Sequence, residues 1–152
     1  MTENTAAKPA YACLLRRMMA VIYDLFLLIA LLFIATALAM ALNHGNAIEP
    51  GQALYAFYVA YLLLISFCFY GWFWTHGGQT LGMKTWKMKL RQENGDAVTW
   101  TLSLIRFITA LLSWSMAAIG FFWSLLDPKK RTWHDIASHC VLIDLRTVDL
   151  AT

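Results

Sequence analysis

The amino-acid sequence predicts an all-α integral membrane protein: a helical hairpin of two spans, a third membrane-embedded helical segment and a small cytoplasmic β-hairpin. Two observations support this fold class. Of the 152 residues, 60% are hydrophobic and 14% are charged, whereas a typical soluble domain has about 45–50% and 25%. The apolar residues also lie in three long runs, 18–42, 53–74 and 101–126, and the pieces between them are too short to bury a core. We therefore expect one membrane domain over residues 1–152.

The first two runs predict spanning helices at about 15–42 and 53–75. The 25 residues of the first run extend over about 37 Å as a helix, which is enough to cross a hydrocarbon core of about 30 Å. A cleaved secretory signal has a shorter apolar core of about 7–15 residues and would not be expected to carry a charge such as Asp24. The first helix is therefore expected to remain in the protein and to pair with the second as a hairpin.

The distribution of basic residues predicts the orientation of this hairpin. Three basic residues precede the first helix and none lies in the loop 43–52, whereas four follow the second helix. Lys and Arg concentrate on the cytoplasmic side of membrane proteins. The N-terminus and the loop after the second helix are therefore expected in the cytoplasm.

The third run, 101–126, presents a conflict between length and charge. A single crossing would carry the basic cluster 129–131 to the outside, against the charge rule. Two crossings would need about 40 residues, and only 26 are present. A segment that enters from the cytoplasm, breaks near 113–115 or Gly120 and returns satisfies both constraints, and we favour it. A plain third span is the alternative, and the tail 127–152 is expected in the cytoplasm.

An amphipathic β-hairpin is expected at about 84–100. Apolar and basic side chains alternate over 86–91, which is the period of a strand. Asn94-Gly95 is a hairpin-turn signal, and 97–100 could form the return strand. The apolar segment 140–145 could add a third strand, although the pattern does not show whether it pairs with this hairpin.

The basic residues of this region are candidate contacts to anionic lipid or to a partner protein. On a cytoplasmic membrane surface each would contribute about 1 kcal/mol of attraction to anionic lipid. A solvated loop that only determines topology is an equally open interpretation. The residues concerned are Lys84, Lys87, Lys89 and Arg91.

Ionisable residues within the apolar runs are the candidate functional site. Asp24 lies seven residues after Arg17, on the same helical face and about 10 Å deeper. Arg106 is expected at a similar depth of about 9 Å, so we predict that Asp24 and Arg106 are neighbours. Such residues cost a few kcal/mol in a membrane, and they usually pair with one another or mark a pathway. Structural pairing, a proton or ion site and substrate contact are all open interpretations.

Five features of the sequence occur together: the spacing of Arg17 and Asp24, the glycine-rich stretch 78–82, the Asn94-Gly95 turn, Arg106, and Trp133-His134-Asp135 after the basic cluster. With these features the sequence resembles the RDD family of membrane proteins over about residues 12–143. The resemblance implies that the arginine and the two aspartates of the family correspond to Arg17, Asp24 and Asp135. Ser138-His139 departs from the family, which commonly has a small residue and then threonine here. The resemblance implies a small bacterial inner-membrane protein of unestablished biochemistry, suspected of transport.

Two functions remain open at this stage. In the first, Arg17, Asp24, Arg106 and Asp135 line a path for an ion or small solute, and this requires a homo-oligomer because two helices cannot enclose a path. In the second, the same charges hold the fold of a non-transporting accessory or assembly protein, which docks a partner or anionic lipid.

An enzyme is not expected, because the sequence has no nucleophile with a base, no Walker loop and no dinucleotide fingerprint. His134 and His139 are five residues apart, which does not place both imidazoles on one helical face. A metal site is therefore not expected. A cofactor and a nucleic-acid partner are not expected either.

Overall fold

The computed structural model describes residues 11–115, 123–125, 127–128 and 130–146. The described part is mostly helical with one small sheet, in agreement with the predicted class. Residues 116–122, with the candidate break at Gly120, and the end of the tail lie outside it. The elements are α1 (Leu14–Leu42), α2 (Ala53–Thr75), α3 (Leu81–Thr85), β1 (Met88–Gln92), α4 (Trp100–Ser115), a 3-10 turn (Trp123–Leu125), α5 (Trp133–Ala137) and β2 (Cys140–Asp144).

Helices α1 and α2 are long and apolar enough to cross a membrane. Only 6% of the most apolar window of each helix is buried inside the protein, whereas a core helix of a soluble protein would be mostly buried. Thr36 lies near the end of α1 and Tyr58 near the start of α2, and their hydroxyls share a hydrogen bond of 2.9 Å. The apolar surface of both helices is therefore left to contact lipid or other membrane helices.

The sheet differs from the predicted hairpin. Strand β1 pairs antiparallel with β2, with Leu90 opposite Leu142. The Asn94-Gly95 turn does form, since the backbone N–H of Gly95 donates to the carbonyl of Gln92 at 2.9 Å. Trp100, however, begins α4, and 97–99 contain no strand. The predicted hairpin at 84–100 is therefore wrong, and the tail segment supplies the second strand.

Packing explains why the tail provides the partner of β1. Leu90 and Leu142 face the same buried cluster from opposite strands, so the five-residue segment of the tail completes a continuous apolar surface. Val98 enters that cluster as a single side chain from the turn before α4. The cluster comprises Ala12, Ala20, Trp74, Met88, Leu90, Val98, Cys140 and Leu142.

This cluster lies where α1 begins and α2 ends, and we call that end of the molecule the base. The backbone N–H of Ala12 donates to the carbonyl of Leu142 at 3.0 Å, so the chain before α1 extends the sheet beside β2. The base thus joins the two membrane helices to α3, the sheet and α5.

Both described ends of the third apolar run also lie at the base. The Trp100 ring packs against Gly71 near the end of α2, where a Cβ atom would lie 2.8 Å from the ring. Phe67 contacts the Trp100 ring, with centroids 6.0 Å apart. At the other end of the run, Leu125 and Leu15 line one cavity of about 610 Å³ beside the start of α1.

Candidate functional site: a buried charged cluster at the base

Asp135 is the centre of a buried ion cluster. Its carboxylate is fully buried and accepts from Arg17 on one oxygen and from Arg106 on the other. Both guanidinium side chains are 4% exposed. One carboxylate therefore joins α1, α4 and α5 in a region where an unpaired charge would be costly.

The local sequence of α5 places this carboxylate. Asp135 is the third residue of the helix, and its side chain reaches back to accept from the backbone N–H of Thr132 at 3.0 Å. This is the carboxylate half of a capping box. The start of a short helix thus helps to orient the Asp135 carboxylate that the two arginines contact.

The electrostatics of the cluster keep Asp135 charged and His134 neutral. Burial by itself would raise the pKa of Asp135, but the Arg106 and Arg17 guanidiniums outweigh burial and hold that pKa well below its usual range. Burial, reinforced by Arg106, lowers the pKa of His134 to about 3. The His134 Nε2 shares a hydrogen bond of 2.8 Å with the Thr132 hydroxyl.

Asp24 lies in a different environment on the same helix as Arg17. Its carboxylate is 2% exposed and accepts from the Thr80 hydroxyl and from the Gly82 backbone N–H, the latter at 2.8 Å. Among the described residues it forms no ion pair. The predicted contact between Asp24 and Arg106 is therefore wrong: Asp135 takes the guanidinium, and the start of α3 supplies the donors for Asp24.

Two glycines of the stretch 78–82 make this arrangement possible. A Cβ atom on Gly82 would lie 2.3 Å from the Ala20 carbonyl oxygen, so only glycine allows α3 to approach α1 this closely. Gly78 has a φ of +69°, and a Cβ there would meet the Leu90 carbonyl at 2.4 Å. The sequence pattern identified this stretch as a motif but not Thr80 and Gly82 as partners of Asp24.

The structure brings the predicted site residues together around one small cavity. Arg17, Asp24 and Arg106 line a cavity of about 40 Å³, and Asp135 lies behind the two arginines. A water molecule occupies about 30 Å³ in the liquid. The cavity thus has room for about one water molecule or a small ion, and its lining combines the Asp24 carboxylate and the two arginines with apolar side chains.

A second ion pair at the base was not predicted. Arg16 pairs with Asp144 and also donates to the carbonyl of Trp86. In the sequence Arg16 only contributed to the basic flank of the first helix. A carboxylate at the end of an apolar strand was the available signal, and it becomes informative only once β2 is placed beside α1.

The predicted lipid or partner contacts separate into two sets. Lys89 and Arg91 line a cleft of about 120 Å³ at the end of α2, together with Gly77 and Gly78. The Arg91 guanidinium also donates to the Gly95 carbonyl at 2.7 Å. Lys84 and Lys87 are exposed and are not part of the lining of that cleft.

Comparison with known proteins identifies the family. The model of the RDD family matches residues 11–139, which include the whole charged cluster. Neither a curated protein nor a solved structure matches the chain significantly. Within the described residues, no group of three or more His, Cys, Asp or Glu side chains is arranged to hold a metal ion. The chain is a membrane protein that belongs to the RDD family, a membrane-associated family of uncertain function.

Proposed function

We propose that this protein moves protons or small cations across the bacterial inner membrane, with Asp24 as the group that binds them. One observation carries the proposal. Asp24 is a buried carboxylate on a membrane helix, it forms no ion pair within the described residues, and it borders a cavity. Asp24 is the eleventh residue of α1, about 15 Å along the helix from its start.

The chemistry of its neighbours supports this role for Asp24. A hydroxyl and a backbone N–H hold the carboxylate in position without neutralising it. In a region of low dielectric, a carboxylate without a directly bonded cation gains by taking up a proton or a small cation. Asp135, by contrast, is already neutralised by its two arginines.

We propose that the base faces the cytoplasm and that the third apolar run is re-entrant. The first turns of α1 and the loop after α2 carry the basic residues that favour the inside. Trp100 and Leu125, near the two ends of the run, both pack at the base. We also propose a homo-oligomer, because two spanning helices cannot enclose a path.

Flux through liposomes that contain only this protein tests the proposal. Wild type should dissipate an imposed gradient of protons or of a monovalent cation, and Asp24→Asn should lower the rate at least about tenfold, equivalent to about 1.4 kcal/mol. The control is Asp96→Asn, because Asp96 lies in the exposed turn after β1 and its variant should match wild type. Equal flux for Asp24→Asn and wild type, or no flux of any tested cation, would contradict the proposal.

A topology reporter tests the placement of the base. Fused after Arg146, it should behave as cytoplasmic, since Arg17 and Asp135 are in contact and the basic cluster 129–131 opposes export. A periplasmic signal would establish a third full span and overturn the re-entrant arrangement.

We further propose that Lys89 and Arg91 bind the phosphate of an anionic lipid at their shared cleft. Thr75, the last residue of α2, lines the same cleft and places it at the end of a membrane helix. In nanodiscs, phosphatidylglycerol should raise the thermal midpoint above that in phosphatidylcholine, and Lys89→Gln with Arg91→Gln should remove most of the gain. Lys84→Gln, outside the cleft, is the control, and an equal loss of the gain there would contradict a specific site.

A further inference from the structure

Two serines of α4 have buried hydroxyls without a partner. Ser103 is 0% exposed and Ser113 is 1% exposed, and neither hydroxyl has a hydrogen-bond partner among the described residues. Buried hydroxyls in helices usually bond to a carbonyl of the preceding turn. Ser66 does so at 2.8 Å, and Thr109 of α4 does so at 2.7 Å. Ser103 and Ser113 therefore differ from Ser66 and Thr109.

Arg106 lies between these serines along α4. The offsets of three and seven residues place Ser103, Arg106 and Ser113 toward one face of the helix. The Nε of Arg106 is likewise buried and has no partner among the described residues. The same is true of the indole N–H of Trp74, on α2, whose ring lies 5.1 Å from the Arg106 guanidinium carbon.

Such groups are uncommon in native proteins unless something else satisfies them. Buried polar atoms nearly always have a partner, either protein or ordered water. Four of them are concentrated here on two packed helices, α2 and α4, and one belongs to a residue that lines the Asp24 cavity. Internal water, which both donates and accepts, can satisfy all four groups.

We propose that these groups line a water-containing path along α4, from the Asp24 cavity to the depth of Ser113. Arg106 lies on this face and also lines the cavity, so it is the residue at which the path would open into the cavity. Ser113 lies about 10 Å further along the helix than Arg106. The inference rests on the proposed function, since the path is the route by which a proton or hydrated cation reaches Asp24.

Cysteine accessibility tests the path in the full chain in liposomes. The background has alanine at Cys13, Cys68 and Cys140, and the probe is silver ion, whose reaction is read as protection from later maleimide labelling after denaturation. Ser113→Cys should react at least about tenfold faster than Leu112→Cys, because the neighbouring Leu112 is 59% exposed on the apolar side of α4. Equal rates for the two variants would overturn the path.

A stability measurement provides a second test that does not depend on the added thiol. In a dry core, Ser113→Ala would remove an unsatisfied hydroxyl and should raise the thermal midpoint. In a hydrated path, the same change removes a satisfied hydroxyl, and the midpoint should stay equal or fall. A clear rise in the midpoint would overturn the proposal.

These readouts separate the path from the proposed function because neither of them measures flux. Fast labelling of Ser113→Cys without any cation flux would support the hydrated path and contradict transport. Flux that depends on Asp24, together with equal labelling of Ser113→Cys and Leu112→Cys, would support transport and overturn the path.

Discussion

Asp135 and Asp24 are both buried, but their carboxylates have opposite kinds of neighbour. Asp135 lies between two guanidiniums, whereas Asp24 is held by a hydroxyl and a backbone N–H. A carboxylate paired with two arginine side chains stabilises the fold and stays ionised. A carboxylate held by neutral dipoles keeps its position while it remains free to gain a proton or a cation. Asp135 is therefore the carboxylate that joins three elements of the fold, whereas Asp24 is the one that we propose to change its charge state.

The largest expected effect is that of Asp135→Asn on stability. It leaves two buried guanidiniums without their carboxylate, and breaking a buried pair in this way costs about 3–5 kcal/mol. Asp24→Asn keeps an acceptor for the Gly82 N–H, so we expect a loss of about 1 kcal/mol. Thermal unfolding in detergent and accumulation in the membrane measure the stability loss of each variant. Equal losses would contradict the distinction between the two sites.

Double-mutant cycles should show that Arg106 is coupled strongly to Asp135 and only weakly to Asp24. Arg106 and Asp135 are in contact, and we expect a coupling of about 2–3 kcal/mol between Arg106→Gln and Asp135→Asn. Arg106 and Asp24 share a cavity but no hydrogen bond within the described residues, and their coupling should be below about 1 kcal/mol. A larger coupling to Asp24 would mean that the guanidinium changes partner in the membrane.

Gly82→Ala should damage the Asp24 environment specifically. The new methyl group would meet the Ala20 carbonyl at 2.3 Å, and relieving that overlap moves α3 away from α1 at a cost of about 1–3 kcal/mol. Gly77→Ala is the control, because a Cβ there meets nothing within 4 Å. Differential scanning fluorimetry of the two variants measures the difference. A stable Gly82→Ala protein would show that α3 does not need this close contact.

The Asp135 cluster should also make the protein sensitive to mild acid through His134. The pKa of His134 is about 3 in the folded protein and 6.5 in the unfolded chain. At a pH between these values, the imidazole therefore binds a proton in the unfolded chain but not in the folded protein. Stability should therefore fall as pH decreases from about 6.5, by up to about 1.4 kcal/mol per unit. Asp135 adds no slope above about 4, because its pKa is lowered further from its ordinary 3.8.

Thermal midpoints measured from pH 7 to 4 in detergent test this dependence. His134→Gln should flatten the curve, whereas His44→Gln in the exposed loop between α1 and α2 should leave it unchanged. Parallel curves for wild type and His134→Gln would show that the imidazole is not held neutral by the cluster.

Local sequence patterns predicted which charged residues form the candidate site, but they did not predict which of these residues pair with each other. The four charged residues chosen from the sequence do lie around one cavity or directly behind it, but the pairing of Arg106 with Asp24 was wrong. Depth along separate helices gives only an axial coordinate. It does not indicate that α3 inserts beside Asp24 or that α5 brings Asp135 between the arginines.

The sequence by itself determined the two membrane helices, because their surroundings are lipid and hydropathy along the chain is sufficient for them. It also determined the turn at Asn94-Gly95, which depends on adjacent residues alone. Only the tertiary structure decided that β1 pairs with 140–144, that Thr80 and Gly82 hold Asp24, and that Asp135 binds both arginines. These choices depend on close contacts between residues 29 to 118 positions apart in the sequence, such as the approach of Gly82 to Ala20, and no local pattern encodes such contacts.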